Sequence, residues 1–123
     1  MKNKLVAEIF YNIAKILEIK GDNPFRIRAY ERAAQNIEGL AQDIEEFVLK
    51  DNLNSIPGIG KDLAGKIKEI VQTDKLRDYE KLKKTVPSGL LEILSVPGVG
   101  PKTAKLLFDK LKIKDIQTLE KYA

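Results

Sequence analysis

Residues 55–71 of the chain read SIPGIGKDLAGKIKEIV, and residues 95–111 read SVPGVGPKTAKLLFDKL, the same pattern forty positions on. No other feature limits the fold as much. Ile56/Val96, Pro57/Pro97, Gly58/Gly98, Ile59/Val99, Gly60/Gly100 and Ala64/Ala104 correspond. Each copy has a short apolar helix before it, carried by Leu53 in the first and by Leu90, Leu91, Ile93 and Leu94 in the second. The unit is therefore helix, tight turn, helix. Glycine loses the most backbone freedom on folding, so a turn with two of them is costly to order. That cost implies that something approaches the turn closely. Two copies are too few for a solenoid, but they suit a pair about a pseudo-twofold axis.

The rest of the chain also has helical period. Leu5, Ile9, Ile13, Ile16 and Leu17 form one apolar stripe and predict a helix over about 3–20. Gly21 suits its end, Asn23 can cap the next helix and Pro24 fits the first helical position. Ile27, Tyr30, Ala33, Ala34 and Ile37 then share a face, with Gly39 near the end. A short helix is expected over about 42–49, and a longer one over about 61–73 with Leu63, Ala64, Ile67, Ile70 and Val71 inward. Asp74 is placed to cap a short helix through Leu76, Tyr79 and Leu82, and Ser88 to cap one over 90–94. Helices over about 101–111 and from Asp115 to Tyr122 complete the chain. No strand alternation is visible, and the connections are short, so the expected fold is all-α. We expect a first lobe over 1–84 with the first turn unit at about 52–73. A second part, 85–123, holds the second unit at about 90–111 and the last helix.

Composition closes several chemistries. The 123 residues include no Cys and no His. Disulfides, thiolate metal sites and Ser-His or Cys-His catalysis are thereby excluded. No apolar run can cross a bilayer. The first residues are interrupted at helical spacing by Glu8, Asn12 and Lys15, which marks an amphipathic helix and not a signal peptide. The net charge of +4 permits a polyanionic partner without requiring one.

The glycine turns suggest what such a partner would meet. With Gly58 and Gly60, or Gly98 and Gly100, at the turn, the first backbone N–H groups of the next helix are bare. They lack intrahelical acceptors and carry the positive end of the helix dipole. A phosphate oxygen fits there. Ile59 and Val99 can point inward and pin the turn. Lys61 and Lys102 follow at once, with Thr103 and Lys105 on the second helix. Such contacts read a nucleic-acid backbone and carry no base information. A dinucleotide fingerprint would need a preceding strand, and none is visible. Pro-Gly punctuation of an ordinary helical hairpin remains the plainer reading of a single copy.

With these residues in view, the sequence resembles two helix-hairpin-helix motifs in the setting of the amino-terminal region of family X DNA polymerases, the group of DNA polymerase β. GDNPFRIRAYERAA is similar to that family's amino-terminal segment, IPGIGKDLAGKI to its first hairpin and VPGVGPKTAKLL to its second. The resemblance spans essentially all 123 residues and is closest to the bacterial and archaeal type. It implies a lobe that binds the 5′-phosphate side of a gap. In some members that lobe is also a deoxyribose-phosphate lyase acting through a Schiff base.

Transferred residue by residue, the resemblance places the lysine nucleophile at Lys66, a pocket tyrosine at Tyr30 and a phosphate contact at Arg26. It implies a monovalent cation, K+ or Na+, at each hairpin. Backbone carbonyls of Asn54, Ile56 and Ile59 would hold one, and those of Leu94, Val96 and Val99 the other. Asp62 and Asp78 stand where lyase-active members carry basic residues, and Asn54 replaces another.

The residues themselves leave alternatives open. Lys66 flanks the Leu63–Ile67–Ile70 stripe, either as a partly desolvated nucleophile or as a lysine snorkelling along a helix edge. Only about one such amine in a thousand is neutral near pH 7.4 without help. Lys61 and Arg26 would supply that help if they converged on it. Tyr30 is either a pocket residue or a core tyrosine.

Three functions follow. The first is sequence-nonspecific DNA binding at gaps, nicks or 5′-phosphorylated ends, with a polymerase catalytic domain belonging to the same longer chain or absent from a small relative. The second is a lyase using Lys66, and the third a protein-interaction module. The expected location is the cytoplasm, on the nucleoid, with no membrane partner.

Overall fold

In a computed structural model of the chain, residues 1–86 are described. The second glycine turn lies outside them, and with it Leu94, Val96, Gly98, Val99, Gly100, Lys102, Thr103 and Lys105. Five helices and one 3-10 turn run through the described residues, and no strand occurs among them.

Helix α1 (Asn3–Ile19) is the centre of the lobe. Ten of its 17 residues are buried, which is more than one stripe can account for. The reason is its set of neighbours: α2 (Pro24–Glu38), α4 (Lys61–Thr73) and α5 (Arg77–Lys83) all pack against it. Phe10, fully buried on α1, meets Tyr30 of α2 edge-on, with ring centroids 5.5 Å apart and planes at 78°. Ala33 and Ala34 are also fully buried and let α2 lie close alongside.

The links between helices follow their local chemistry. Gly21 ends the first helix at φ 72°, where its N–H bonds to Glu18 O (3.1 Å) and the N–H of Asp22 to Leu17 O (2.9 Å). This is a Schellman stop. Asn23 Oδ1 accepts from Phe25 N at 2.8 Å and Pro24 opens α2, as expected. Helix α3 (Ile44–Leu49) begins two residues later than the sequence suggests, because Asp43 caps it, accepting from Glu45 N at 3.1 Å.

Asp74 departs from the expectation. It does not open the next helix but closes α4 in the left-handed conformation, at φ 63°. Its carboxylate meets Lys2 Nζ at 2.9 Å. The cause is Leu76, which is 1% exposed and reaches the core on extended backbone. Helix α5 therefore starts only at Arg77, whose N–H is taken by Glu69 Oε2 of α4 at 2.6 Å. That bond, with the Arg77 guanidinium, holds the Glu69 carboxyl below its usual range.

Asn3, buried among the described residues, ties the start of α1 to the start of α3. Its Nδ2 donates to Gln42 O and its Oδ1 accepts from Ile44 N, both at 2.8 Å. Asn3→Ala would leave a buried N–H and a carbonyl unpaired. It should lower unfolding stability by about 2–3 kcal/mol in a chemical-denaturation titration, with helix content retained in water.

Candidate nucleic-acid interface

The first glycine turn is held from inside at two points. Ile56 and Ile59 are 3% and 4% exposed, while Pro57 and Gly58 between them are exposed. The N–H of Ile59 bonds to Ile56 O at 3.1 Å. With Pro57 second and Gly58 third at φ 83°, this is a type II turn, which demands glycine at that place. Asn36 of α2 adds a clamp by donating from Nδ2 to Pro57 O at 2.7 Å. A Cβ on Gly58 would lie 3.3 Å from that same Nδ2. Gly58 is thus required by the protein's own backbone and packing.

Gly60 differs. Its backbone is extended (φ −94°, ψ −171°), a conformation open to any residue, and a Cβ there would meet nothing within 4 Å. It is the N-cap of α4 and brings no capping side chain. The first intrahelical bond at this end runs from Ala64 N to Gly60 O (2.9 Å). Gly60, Lys61 and Asp62 are exposed, so the opening of α4 faces solvent and is not sealed within the fold. This is a surfaced helix start over a turn pinned by Ile59, with no side-chain cap among the described residues, and Lys61 stands beside it.

Lys66 is only 15% exposed and is fully engaged. Its Nζ donates to both carboxylate oxygens of Asp62 at 3.0 Å and lies 3.6 Å from Asp78 Oδ2. Burial pulls its pKa down. The hydrogen bond to Asp62 and the electrostatic pull of Tyr30, Asp62 and Asp78 outweigh that, so the ammonium is held above its ordinary value. These surroundings oppose the neutral amine that a nucleophile needs.

Arg26 does not join that cluster. It is 57% exposed and pairs with Asp22 at 3.3 Å, on the link between α1 and α2. Tyr30 is a core tyrosine, 5% exposed and packed edge-on against Phe10.

Two residues of this surface were not singled out from the sequence. One is Asn36, whose clamp on the turn is a contact between distant segments. The other is Phe25, 75% exposed, with the Arg28 guanidinium 5.0 Å from its ring centroid. The signal for Phe25 was available, because it falls off the Ile27–Tyr30–Ala34 stripe.

Among the described residues no group of acidic side chains could hold a metal ion. Among the described residues, the carbonyls of Asn54 and Ile59 accept no backbone hydrogen bond outside the helices, and that of Ile56 accepts one, from Ile59 N. Two residues upstream, Asn52 Oδ1 is buried without a partner. Oxygens with free lone pairs fit a hard monovalent cation.

Residues 1–76 match the helix-hairpin-helix domain family, and residues 90–121 match the SAM-like helix-hairpin-helix tandem family. The chain belongs to the helix-hairpin-helix domain family. More particularly, it is like the amino-terminal region of family X DNA polymerases over nearly all its length. It is 36% identical to the DNA polymerase/3′-5′ exonuclease PolX of Bacillus subtilis (strain 168), over 98% of this chain and 20% of that protein. It is 34% identical to DNA polymerase lambda of Arabidopsis thaliana, over 88% of this chain and 20% of that protein. With DNA polymerase lambda of Rattus norvegicus the identity is 28%, over 95% and 20%. The chain thus spans about a fifth of the length of these relatives.

Two outcomes test this geometry. Gly60→Asp places a carboxylate where the α4 amides are bare, which is favourable for the helix and repulsive to phosphate. The variant should melt no lower than the parent and lose about tenfold or more in affinity for duplex DNA, read by fluorescence anisotropy. Asp62→Asn with Asp78→Asn should move the Lys66 titration to lower pH, followed by NMR of the labelled side-chain amine. Removing carboxylates removes what favours the charged form, so the sign is downward. An unchanged midpoint would discard the clamp.

Proposed function

We propose that this chain binds DNA without sequence preference, gripping the sugar–phosphate backbone at gaps, nicks or 5′-phosphorylated ends during repair. It would serve as the amino-terminal part of a family X polymerase, or of a small relative of one, in the cytoplasm on the nucleoid. The observation that carries the reading is the solvent-facing start of α4, uncapped at Gly60, above a turn anchored by Ile56 and Ile59. Helix-hairpin-helix membership and the likeness to DNA polymerases support it.

Within this reading the α4 amides would take phosphate oxygens and Lys61 would add charge beside them. A K+ or Na+ ion on the carbonyls of Asn54, Ile56 and Ile59 would bring a further positive charge to the same turn. Phe25, exposed next to Arg26 and Arg28, offers an unpaired base a stacking face of the kind single strands use. The lyase alternative at Lys66 is disfavoured by its two carboxylate partners.

The test is anisotropy of a labelled duplex carrying a one-nucleotide gap and a 5′-phosphate, titrated with the full chain at several salt concentrations. Neutralising three or four phosphates gives a log–log slope of about −3 to −4. Two unrelated sequences should bind within about twofold of each other, and the gapped duplex tighter than the intact one. A slope near zero would contradict the phosphate grip.

A further inference from the structure

Gly65 sits in the middle of α4, where nothing among the described residues asks for a glycine. Its backbone is ordinary helix, it is exposed, and a Cβ there would meet no atom within 4 Å. A glycine in a helix interior weakens the helix relative to alanine. The missing side chain leaves room on the surface of α4 for something other than the described residues.

The surroundings indicate what that is. Lys61 lies one turn before Gly65 and Lys68 one turn after it, on the same helical face. Two shallow grooves meet over this point. One is bounded by Asp51, Asn54 and Lys61, the other by Gln72, Lys75 and Arg77, and both share Gly65 and Lys68. Together they make a furrow along α4, about 20 Å long, from the start of the helix at the glycine turn to its end.

Four cations line the furrow against two carboxylates, so two of the cations are paired within it and Lys61 and Lys75 are in excess. Asp51 meets Lys68 at 3.0 Å, and Glu69 meets the Arg77 side chain at 3.5 Å. The Lys66 side of α4 has the opposite balance, with Asp62 and Asp78 sharing one ammonium. Helix α4 is thus basic along the Gly65 side and acidic along the Lys66 side.

We propose that a nucleic-acid strand passing the glycine turn follows this furrow, its phosphodiester backbone crossing α4 at Gly65 between Lys61 and Lys68. The proposal rests on the DNA-binding reading above and adds the path of the strand. Gly65 permits the close approach, the two lysines flank the backbone, and the acidic side turns the strand away from Lys66. Because the contact is with the backbone, it carries no sequence information.

The experiment uses the full chain, the gapped 5′-phosphorylated duplex and three variants. Gly65→Ala and Gly65→Leu project into open space and improve helix propensity. Their melting temperatures should rise by about 3–5 °C. Affinity should fall by about threefold for Gly65→Ala and by about tenfold or more for Gly65→Leu, because the added atoms hold the strand off the helix. Gln35→Leu, which puts the same side chain on an exposed position of α2, should bind like the parent. Gly65→Leu binding within twofold of the parent would overturn the path and leave the DNA-binding reading standing. A parent protein that does not bind the duplex at any salt concentration would overturn both.

Discussion

The burial of Ile56 and Ile59 is the constraint from which the site follows. Both side chains enter the core, three residues apart, so the chain between them must arch outward and return. Each buried isoleucine contributes about 1.5–3 kcal/mol, enough to hold an exposed Pro57-Gly58 turn in one conformation. The return stroke delivers Gly60 and the start of α4 to the surface in a fixed direction. Asn36 tightens the same turn from α2, and α2 is placed by its packing on α1. The proposed phosphate grip is thus positioned by the hydrophobic core and contributes little to it.

Three glycines within eight residues show how structural and binding demands separate. Gly58 has a left-handed φ and a neighbour 3.3 Å from any Cβ, so the fold itself selects it. Gly60 and Gly65 have neither property, and a Cβ at either would meet nothing within 4 Å among the described residues. Stability alone would replace one with a capping residue and the other with a good helix former. Their presence is a local sacrifice of helix stability, such as sites that bind tend to show.

Much of the lobe was legible because its signals are local. Asn23 and Pro24, Gly21, and the Lys61–Thr73 period mark helix ends and faces where the structure has them. What was missed depends on distant partners. The stripe on α1 understated its burial because three helices surround it. Asp74 looked like an N-cap, but the pull of Leu76 into the core decided where α5 could begin. Asn3 and Asn36 look like ordinary surface asparagines until segments 41 and 21 residues away come to meet them. For Lys66, the resemblance located the residue, but the acids that hold it include Asp78, which belongs to another helix.

That cluster also resolves an electrostatic conflict at the start of α4. An acidic residue in the first turn stabilises the helix through its dipole, and Asp62 fills this role. The same charge would repel a phosphate arriving at the neighbouring amides. Lys66 offsets it by donating to both Asp62 oxygens. A lysine so employed is held in its protonated form. A net charge of only +4 leaves little long-range attraction to spare, so for the proposed grip the sorting of charges around α4 matters. In the proposed path the polyanion approaches the Gly65 side, where Lys61 and Lys75 exceed the carboxylates that Lys68 and Arg77 already pair.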